Sequence, residues 1–243
     1  MWVEDWLKTP IVKNHLAWEK VGKIGIDSSH QLHQEPLVRV MPTTRMRVYS
    51  AYYHDGISGA LASIYLRQSL LERLEQLVDR LPENLGLLLL DGWRPVAVQE
   101  SLRHNFREDL ERSYPDFNQD QIEDLLDQFV AKPSADPLAP SPHLTGGSID
   151  LTLFDLTTES EIDMGTSFDA MEEASWSHYF EENATDAEDR HIRDYRRLLI
   201  NGMTAMGFTN LPSEWWHFDF GNQLWGYYQK ESAFYGIASL SAQ

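Results

Sequence analysis

Two short segments with the patterns of buried strands limit the folds available to this 243-residue chain more than any other feature. The segment LGLLLLDG (residues 85–92) begins with six residues, 85–90, that carry no polar side chain, which predicts a short strand buried on both faces. In GSIDLTLF (residues 147–154) apolar and polar residues alternate, so Ile149 and Leu153 share one face and Asp150 lies on the other. The chain must therefore build a sheet that is covered by other elements and contains a carboxylate.

Helical patterns accompany these strands. Apolar residues recur at helical spacing between Leu61 and Leu81, and this is the clearest helix in the chain. The remaining predicted elements are helices over residues 95–114, 119–131 and 189–206, a strand at MRVYSAYY (46–53), and a last pair of strands around EWWHFDFG (214–221) and QLWGYYQ (223–229). Helices interleaved with short strands predict an α+β fold, a single domain in which helices flank a small, mostly antiparallel sheet.

The first 45 residues differ from the rest of the chain. Three prolines interrupt them, and no helical or strand period persists. We therefore expect residues 1–45 to form an irregular N-terminal extension that packs on a domain of residues 46–243.

The composition excludes several classes of function. Lysine and arginine total 20 against 38 aspartates and glutamates, and the resulting net charge of −18 repels the phosphate backbones of nucleic acids. Without cysteine, the chain has no disulfide, no thiolate metal ligand and no thiol nucleophile. No apolar run approaches the roughly 20 residues that cross a bilayer, and the N-terminus MWVEDWLKTP lacks the features of a secretory signal. We expect a soluble, cytoplasmic protein that binds neither nucleic acid nor membrane.

Two of the nine histidines have distinctive neighbours. His143 follows a proline-rich loop and precedes Asp150 by seven residues, and His217 follows Glu214 by three. A catalytic zinc ion takes three protein ligands with nitrogen or oxygen donors and keeps one position open for water. His143, Asp150 and His217 supply that set. Glu214 is then a carboxylate beside a ligand, as a general base for the water requires.

Other interpretations of these residues stay open at this point. A histidine near an aspartate in a glycine-rich loop is commonly a hydrogen-bonded loop residue, and the aromatic residues around His217 are typical of core packing. Asp150 is harder to explain in this way, because a carboxylate facing inward from a central strand is costly unless it is paired or binds a cation. Residues three apart on an ideal strand point to opposite faces. Glu214 and His217 therefore share a site only if Glu214 lies in a turn before the strand or a bulge redirects it.

Four motifs occur in a recognisable order: DGWRP (residues 91–95), SPHLTGGSID (141–150), DMGTSFD (163–169) and EWWH (214–217). Together they resemble the zinc D-alanyl-D-alanine dipeptidases, the family that includes the VanX-type enzymes of vancomycin resistance. The resemblance covers roughly residues 45 to 228. It implies one Zn²⁺ per chain with His143, Asp150 and His217 as its ligands, and Glu214 as the base that takes a proton from the water and passes it to the leaving amine.

The resemblance also implies roles for three further residues. Arg94 falls where the family has an arginine that stabilises the developing oxyanion, a role that suits a permanently charged guanidinium. Without the resemblance, Arg94 would be an ordinary ion-pair partner of a carboxylate such as Asp91. Asp169 would bind the free ammonium group of the substrate, and Ser141 would line the same pocket.

The implied activity is that of a hydrolase, a metalloprotease that cleaves the free dipeptide D-alanyl-D-alanine into two D-alanines in cell-wall biogenesis or degradation. Residues 46–243 would be its catalytic domain, and the expected partner is a small-molecule dipeptide. One alternative is a D,D-carboxypeptidase or endopeptidase acting on cell-wall peptides, which would require export. Another is a non-catalytic binding module of the same fold, although every ligand and base position is intact. The oligomeric state does not follow from these patterns.

Overall fold

The computed structural model describes residues 3–240. The strands are β1 (Leu37–Arg39), β2 (Met46–Val48), β3 (Tyr65–Arg67), β4 (Leu85–Asp91), β5 (Ser148–Asp155), β6 (Ser160–Glu161), β7 (Thr209–Asn210) and β8 (His217–Asp219).

The helices lie between these strands. They are α1 (Val3–Lys8), α2 (Trp18–Val21), α3 (Ala51–His54), α4 (Gln68–Val78), α5 (Val96–Ser113), α6 (Gln119–Phe129), α7 (Tyr179–Asn183), α8 (Ala187–Ala205) and α9 (Gln223–Gln229), with single 3₁₀ turns at Pro142–Thr145 and Glu173–Ser175. Within residues 3–240, no helix combines the length and the apolar character needed to cross a membrane.

The main sheet has the strand order β2-β4-β5-β8-β7, and β6 pairs with β5 at one end. The long central strands β4 and β5 are the two segments that the sequence singles out, and they pair in antiparallel orientation. β2 runs parallel to β4, and the other pairs of this sheet are antiparallel. The prediction of an α+β fold with a small, mostly antiparallel sheet is confirmed.

The register of three neighbouring strands brings polar side chains together at one end of the sheet. Asp150 on β5 pairs with His217, the first residue of β8. On the other side of β5, Asp91 at the end of β4 lies opposite Asp150, after an irregularity between Leu89 and Asp91 that adds one residue to β4. Asp91, Asp150 and His217 are therefore adjacent across the sheet although they are far apart in sequence.

The main core lies between this sheet and helices α4 and α8. Leu70, Leu74 and Leu77 of α4 are fully buried there, and Met203 of α8 contributes to the same cluster. A second, smaller core lies between α5 and α6 and consists of Leu110, Ile122, Leu126 and Val130, with a few partly buried neighbours. The α5–α6 hairpin therefore has a hydrophobic cluster of its own.

Two predicted elements near the first helix have different bounds in the structure. The helix expected from Leu61 begins at Gln68, because residues 65–67 pair with β1 instead of joining the helix. The strand expected over residues 46–53 ends at Val48, and α3 follows within two residues. Periodicity located both elements but did not place their ends.

The prediction of a strand at QLWGYYQ is wrong, because this segment forms helix α9. The side chain of Asn222 caps the helix by accepting a hydrogen bond from the backbone N–H of Trp225. Gly221, with φ of 71°, turns the chain sharply after β8 and separates the two elements. The Asn222 cap and the turn at Gly221 therefore favour a helix in this segment, although its aromatic residues favour a strand.

The described part of the first 45 residues is less irregular than expected, since it contains α1, α2 and β1. Trp6 of α1 is fully buried in the main core. The side-chain amide of Asn201 on α8 donates hydrogen bonds of 2.8 Å to the carbonyls of Trp6 and Thr9. Burial of Trp6 against α8 explains this order. The division of the chain at residue 45 stays a prediction.

Candidate active site and metal centre

Three side chains converge at the end of the sheet where Asp150 and His217 pair. His143 reaches them from the 3₁₀ turn between β4 and β5. The His217 Nδ1 atom lies 3.0 Å from Asp150 Oδ1 and 3.2 Å from His143 Nε2. His143 Nε2 and Asp150 Oδ2 are 3.5 Å apart. One donor atom from each residue lies within 4.8 Å of the others, so this buried group could bind a metal ion.

The loop that carries His143 has a shape that depends on a glycine. Pro142 opens the 3₁₀ turn, and Gly146 ends it with φ of 70°. A Cβ at Gly146 would lie 2.5 Å from Leu37 Cδ2, so a larger residue would force the Leu37 side chain to move and would hold a strained left-handed backbone. The chain then enters β5 and reaches Asp150 at its third residue.

The outer nitrogen of each histidine ring has a hydrogen-bond partner. His143 Nδ1 donates to the carbonyl of Gly92 at 2.7 Å, and His217 Nε2 donates to Asp219 Oδ2 at 3.1 Å. These bonds leave Nε2 of His143 and Nδ1 of His217 directed at the common centre. Partners of this kind orient metal-binding histidines and select their tautomer.

Asp219 is a member of the site that sequence reasoning missed. Besides His217, its carboxylate accepts hydrogen bonds of 2.7 Å from Ser148 Oγ and Asn222 Nδ2. The signal was present in the motif, because residues two apart on a strand share a face and Asp219 follows His217 by two.

The electrostatics of the centre favour a cation. Burial lowers the pKa of His143 to about 3, and the neighbouring charge of Arg94 acts in the same direction, so this ring is neutral as a metal ligand must be. Burial also acts to lower the pKa of His217, but the carboxylates of Asp219 and Asp150 outweigh it and the pKa is raised. These two carboxylates make positive charge favourable at this point.

Glu214 lies in the turn before β8, so the turn, and not a bulge, brings it to the same site as His217. Its backbone is held by a hydrogen bond from its N–H to the carbonyl of Leu211 and by one from Asn210 Nδ2 to its carbonyl, both 3.0 Å long. The Glu214 carboxylate reaches within 3.9 Å of His217 Nδ1. Burial raises the pKa of Glu214 to about 8. Its carboxylate is thus adjacent to the metal-binding group without belonging to it.

Arg94 is buried beside the ligands and makes the ion pair with Asp91 that the sequence suggested. Its Nε donates to Asp91 Oδ2 at 2.8 Å, and its Nη2 lies 3.4 Å from Asp150 Oδ2. The guanidinium also lies over the ring of Tyr52, with its central carbon 4.7 Å from the ring centroid. Burial acts to lower the pKa of Arg94, but Asp91 and its other neighbours raise it, so the side chain stays charged.

Asp169 lies in the same pocket with a left-handed backbone, φ of 61°, which is uncommon for a residue other than glycine. Burial raises the pKa of its carboxyl to about 7, against the opposing effects of Arg94 and the Tyr52 hydroxyl. Tyr52 was not predicted from the sequence, because nothing in the surrounding MRVYSAYY segment distinguishes it from a core aromatic residue.

Ser141 is buried at the edge of the pocket. Its Oγ accepts a hydrogen bond of 2.7 Å from the backbone N–H of Ser134, within the proline-rich loop. The hydroxyl therefore stabilises that loop as well as lining the pocket.

The predicted site residues all line one cavity of about 470 Å³. They are Arg94, Ser141, His143, Asp150, Asp169, Glu214 and His217. The cleft is therefore formed by the segment between β4 and α5, the loop before β5, strands β5 and β8, the turn before β8 and the segment between β6 and α7 that carries Asp169. Its volume is the size expected of a small-molecule site.

A buried His-Asp-His group on an α+β sheet, with a carboxylate next to it and an arginine beside it, has the donor types of a catalytic zinc site and fits the class of zinc metallopeptidases. The family follows from the sequence as a whole. The family model described as D-ala-D-ala dipeptidase, of peptidase family M15, matches residues 64–236, and the chain belongs to this family.

Individual relatives agree with the family. The chain is 34% identical to the D-alanyl-D-alanine dipeptidase of Synechocystis sp. over 179 residues, 67% of this chain and 71% of that protein. It is 32% identical to the D-alanyl-D-alanine dipeptidase of Enterococcus faecium over 171 residues, 68% and 76% of the two chains. A zinc-bound D,D-pentapeptidase VanY aligns at 15% identity with a TM-score of 0.39, covering 71% of this chain and 83% of that one.

Proposed function

We propose that this protein hydrolyses the free dipeptide D-alanyl-D-alanine at a single zinc ion bound by His143 Nε2, Asp150 and His217 Nδ1. The observation that carries the proposal is the convergence of these three donors in a cleft that also contains Glu214. The donor set fits zinc, since imidazole nitrogen and carboxylate oxygen are its usual ligands in catalytic sites. When bound, zinc lowers the pKa of a water molecule and polarises the carbonyl that the water attacks.

Glu214 acts as the general base. Its carboxylate lies next to the ligand atom of His217, and no hydrogen bond from a residue between positions 3 and 240 occupies it. It can therefore accept a proton from the attacking water and return it to the amine that leaves. The nearby cation would favour the ionised carboxylate and oppose the effect of burial on its pKa.

Arg94 stabilises the negative charge that develops on the carbonyl oxygen. Its charge is permanent, and its contacts with Asp91 and Asp150 place it beside the metal-binding group. A guanidinium that is already oriented in a buried site needs little reorganisation during the reaction, which is the origin of such stabilisation.

Asp169 binds the ammonium group of the free dipeptide. Its carboxylate is buried in the cleft near Tyr52 and Arg94, and a substrate ammonium would restore the charged form that burial disfavours. A site that pairs this group should reject peptides whose amine is blocked, because a carboxylate would then be left without its partner. This contact would separate a dipeptidase from a carboxypeptidase that acts on longer peptides.

The experiment is a hydrolysis assay on D-alanyl-D-alanine and on N-acetyl-D-alanyl-D-alanine, each with and without a chelator. We expect cleavage of the free dipeptide that the chelator abolishes and zinc restores. The acetylated substrate should be cleaved at least about a hundredfold less well, which corresponds to roughly 2.7 kcal/mol. Equal cleavage of both substrates would refute the dipeptidase assignment in favour of a carboxypeptidase, and chelator-resistant activity would refute the metal site.

A further inference from the structure

The side chain of Gln99, in the first turns of α5, touches Arg94 inside the active-site cleft. Gln99 Oε1 accepts a hydrogen bond from Arg94 Nη1 at 2.5 Å, and Gln99 Nε2 donates to the carbonyl of Ala131 at 3.0 Å. Gln99 is 6% exposed and lines the cleft. We propose that Gln99 is a positioning residue for Arg94, an inference that rests on the proposed role of Arg94 in the reaction.

The guanidinium is fixed along two edges. Asp91 accepts from Nε at 2.8 Å on one side, and Gln99 accepts from Nη1 on the other. The contacts of Nη2 with Tyr52 and Asp150 are both longer, at 3.4 Å. Within the part of the chain that the structure describes, Gln99 is the acceptor for Nη1. Removing it leaves the plane of the guanidinium determined mainly by the bond to Asp91.

A glutamine amide suits this position because its two ends differ. The guanidinium has only donors and the Ala131 carbonyl is only an acceptor, so a single orientation of the amide satisfies both. The bond to Ala131 prevents the amide from turning its NH₂ group toward Arg94. The carbonyl that follows α6 therefore sets the direction of the Arg94 contact.

Arg103 provides a matched comparison on the same helix. It lies one turn after Gln99 on α5 and also binds the end of α6, since its Nη1 donates to the carbonyl of Val130 at 2.6 Å. It forms ion pairs with Glu123 and Asp127 of α6. The hydrogen bonds and ion pairs that Arg103 makes within residues 3–240 do not involve Arg94, and Arg103 is not among the residues that line the cleft. Loss of Arg103 should weaken the hairpin but leave in place the hydrogen bonds of Gln99 to Arg94 and to the Ala131 carbonyl, in which Arg103 takes no part.

The test compares kcat, KM and zinc content of the holoenzyme with those of Gln99→Met and Arg103→Met. Misplacing a catalytic group by about 1 Å costs on the order of 10²-fold, so Gln99→Met should lower kcat by about 10- to 100-fold. KM should change by less than about threefold, because the interaction is made in the transition state. Affinity for a phosphinate analogue of the dipeptide should fall in parallel with kcat/KM, while D-alanine affinity and zinc content stay unchanged. Arg103→Met should lower the melting temperature and leave kcat within about twofold of the native value.

A native kcat in Gln99→Met would overturn the proposal. An equal loss of kcat in Arg103→Met would also overturn it, because the loss would then come from weaker packing of the α5–α6 hairpin and not from the Gln99–Arg94 bond. If Gln99→Met does not fold, Gln99→Asn takes its place in the test. The shorter asparagine side chain cannot reach both Arg94 and the Ala131 carbonyl, so this variant should lower kcat in the same way. Arg94→Met is measured alongside. An inactive Arg94→Met beside a fully active Gln99→Met refutes the positioning role alone. A fully active Arg94→Met refutes the proposed function of Arg94 itself.

Discussion

Replacing Asp219 by asparagine tests whether the residue behind His217 contributes to the metal site. Asp219 is 1% exposed, and three donors converge on its carboxylate. Ser148 and Asn222 bind Oδ1, and His217 binds Oδ2. The asparagine side chain has the same shape as aspartate, but its amide has one acceptor oxygen whereas the carboxylate has two. Its NH₂ group must therefore face either the His217 ring or the Ser148 and Asn222 pair.

Either orientation of the asparagine amide should weaken zinc binding, and the size of the loss in affinity can be estimated. If the NH₂ group faces His217, the ring loses the acceptor that keeps its Nδ1 directed at the centre. If it faces the other pair, it meets the Asn222 NH₂ group, which loses its 2.7 Å bond to residue 219 and keeps only the 3.0 Å bond to Ser148 Oγ, at a cost of about 1–3 kcal/mol. Loss of such an outer partner typically costs 10- to 100-fold in metal affinity. We therefore expect the zinc dissociation constant of Asp219→Asn to rise by 10- to 100-fold, which corresponds to a loss of roughly 1.4–2.8 kcal/mol in the free energy of zinc binding.

The measurement is a competition titration of zinc between each protein and a chelator of known affinity, with thermal unfolding recorded in parallel. Asp155→Asn is the control, because it makes the same chemical change at the far end of β5, where the carboxylate binds loop N–H groups of Thr157 and Thr158. A zinc affinity of Asp219→Asn within threefold of the native value would refute the reasoning. An equal loss in Asp155→Asn would attribute the effect to net charge.

Three further outcomes are expected. Glu214→Gln should retain zinc and lower kcat by at least the roughly 10²–10⁴-fold that general acid–base catalysis contributes, and metal loss in this variant, seen by elemental analysis, would identify Glu214 as a ligand. Asp169→Ala should reduce kcat/KM for the free dipeptide far more than for its N-acetyl derivative, since one side of a desolvated ion pair is worth on the order of 2–5 kcal/mol; an unchanged preference would place the ammonium site elsewhere. Trp6→Ala should lower the free energy of unfolding by about 3–5 kcal/mol, because the ring is fully buried in the main core, and a smaller loss in denaturant titration would show that α1 contributes little to stability.

The helices and strands illustrate what local sequence predicts and where it stops. The two central strands and the long helices follow from periodicity, because burial of one face imposes a repeat on neighbouring residues. The ends of α4 and the helical state of α9 do not follow, since they depend on pairing with β1 and on the Asn222 cap. A strand partner that is distant in sequence leaves no trace in the local repeat.

The candidate site likewise has features that the sequence predicts and features that only the structure shows. The sequence by itself predicted the candidate ligands and the base, because the chemistry of zinc hydrolysis requires particular side chains and short motifs contain them. The role proposed for Arg94 came only from the resemblance to the dipeptidase family. Only the tertiary structure decided that Glu214 lies in a turn, which ring nitrogen of His217 faces the centre, and that Gln99 contacts Arg94. The reason is geometric. Side-chain direction depends on strand register and on contacts between segments remote in the chain, whereas chemical identity belongs to each residue alone.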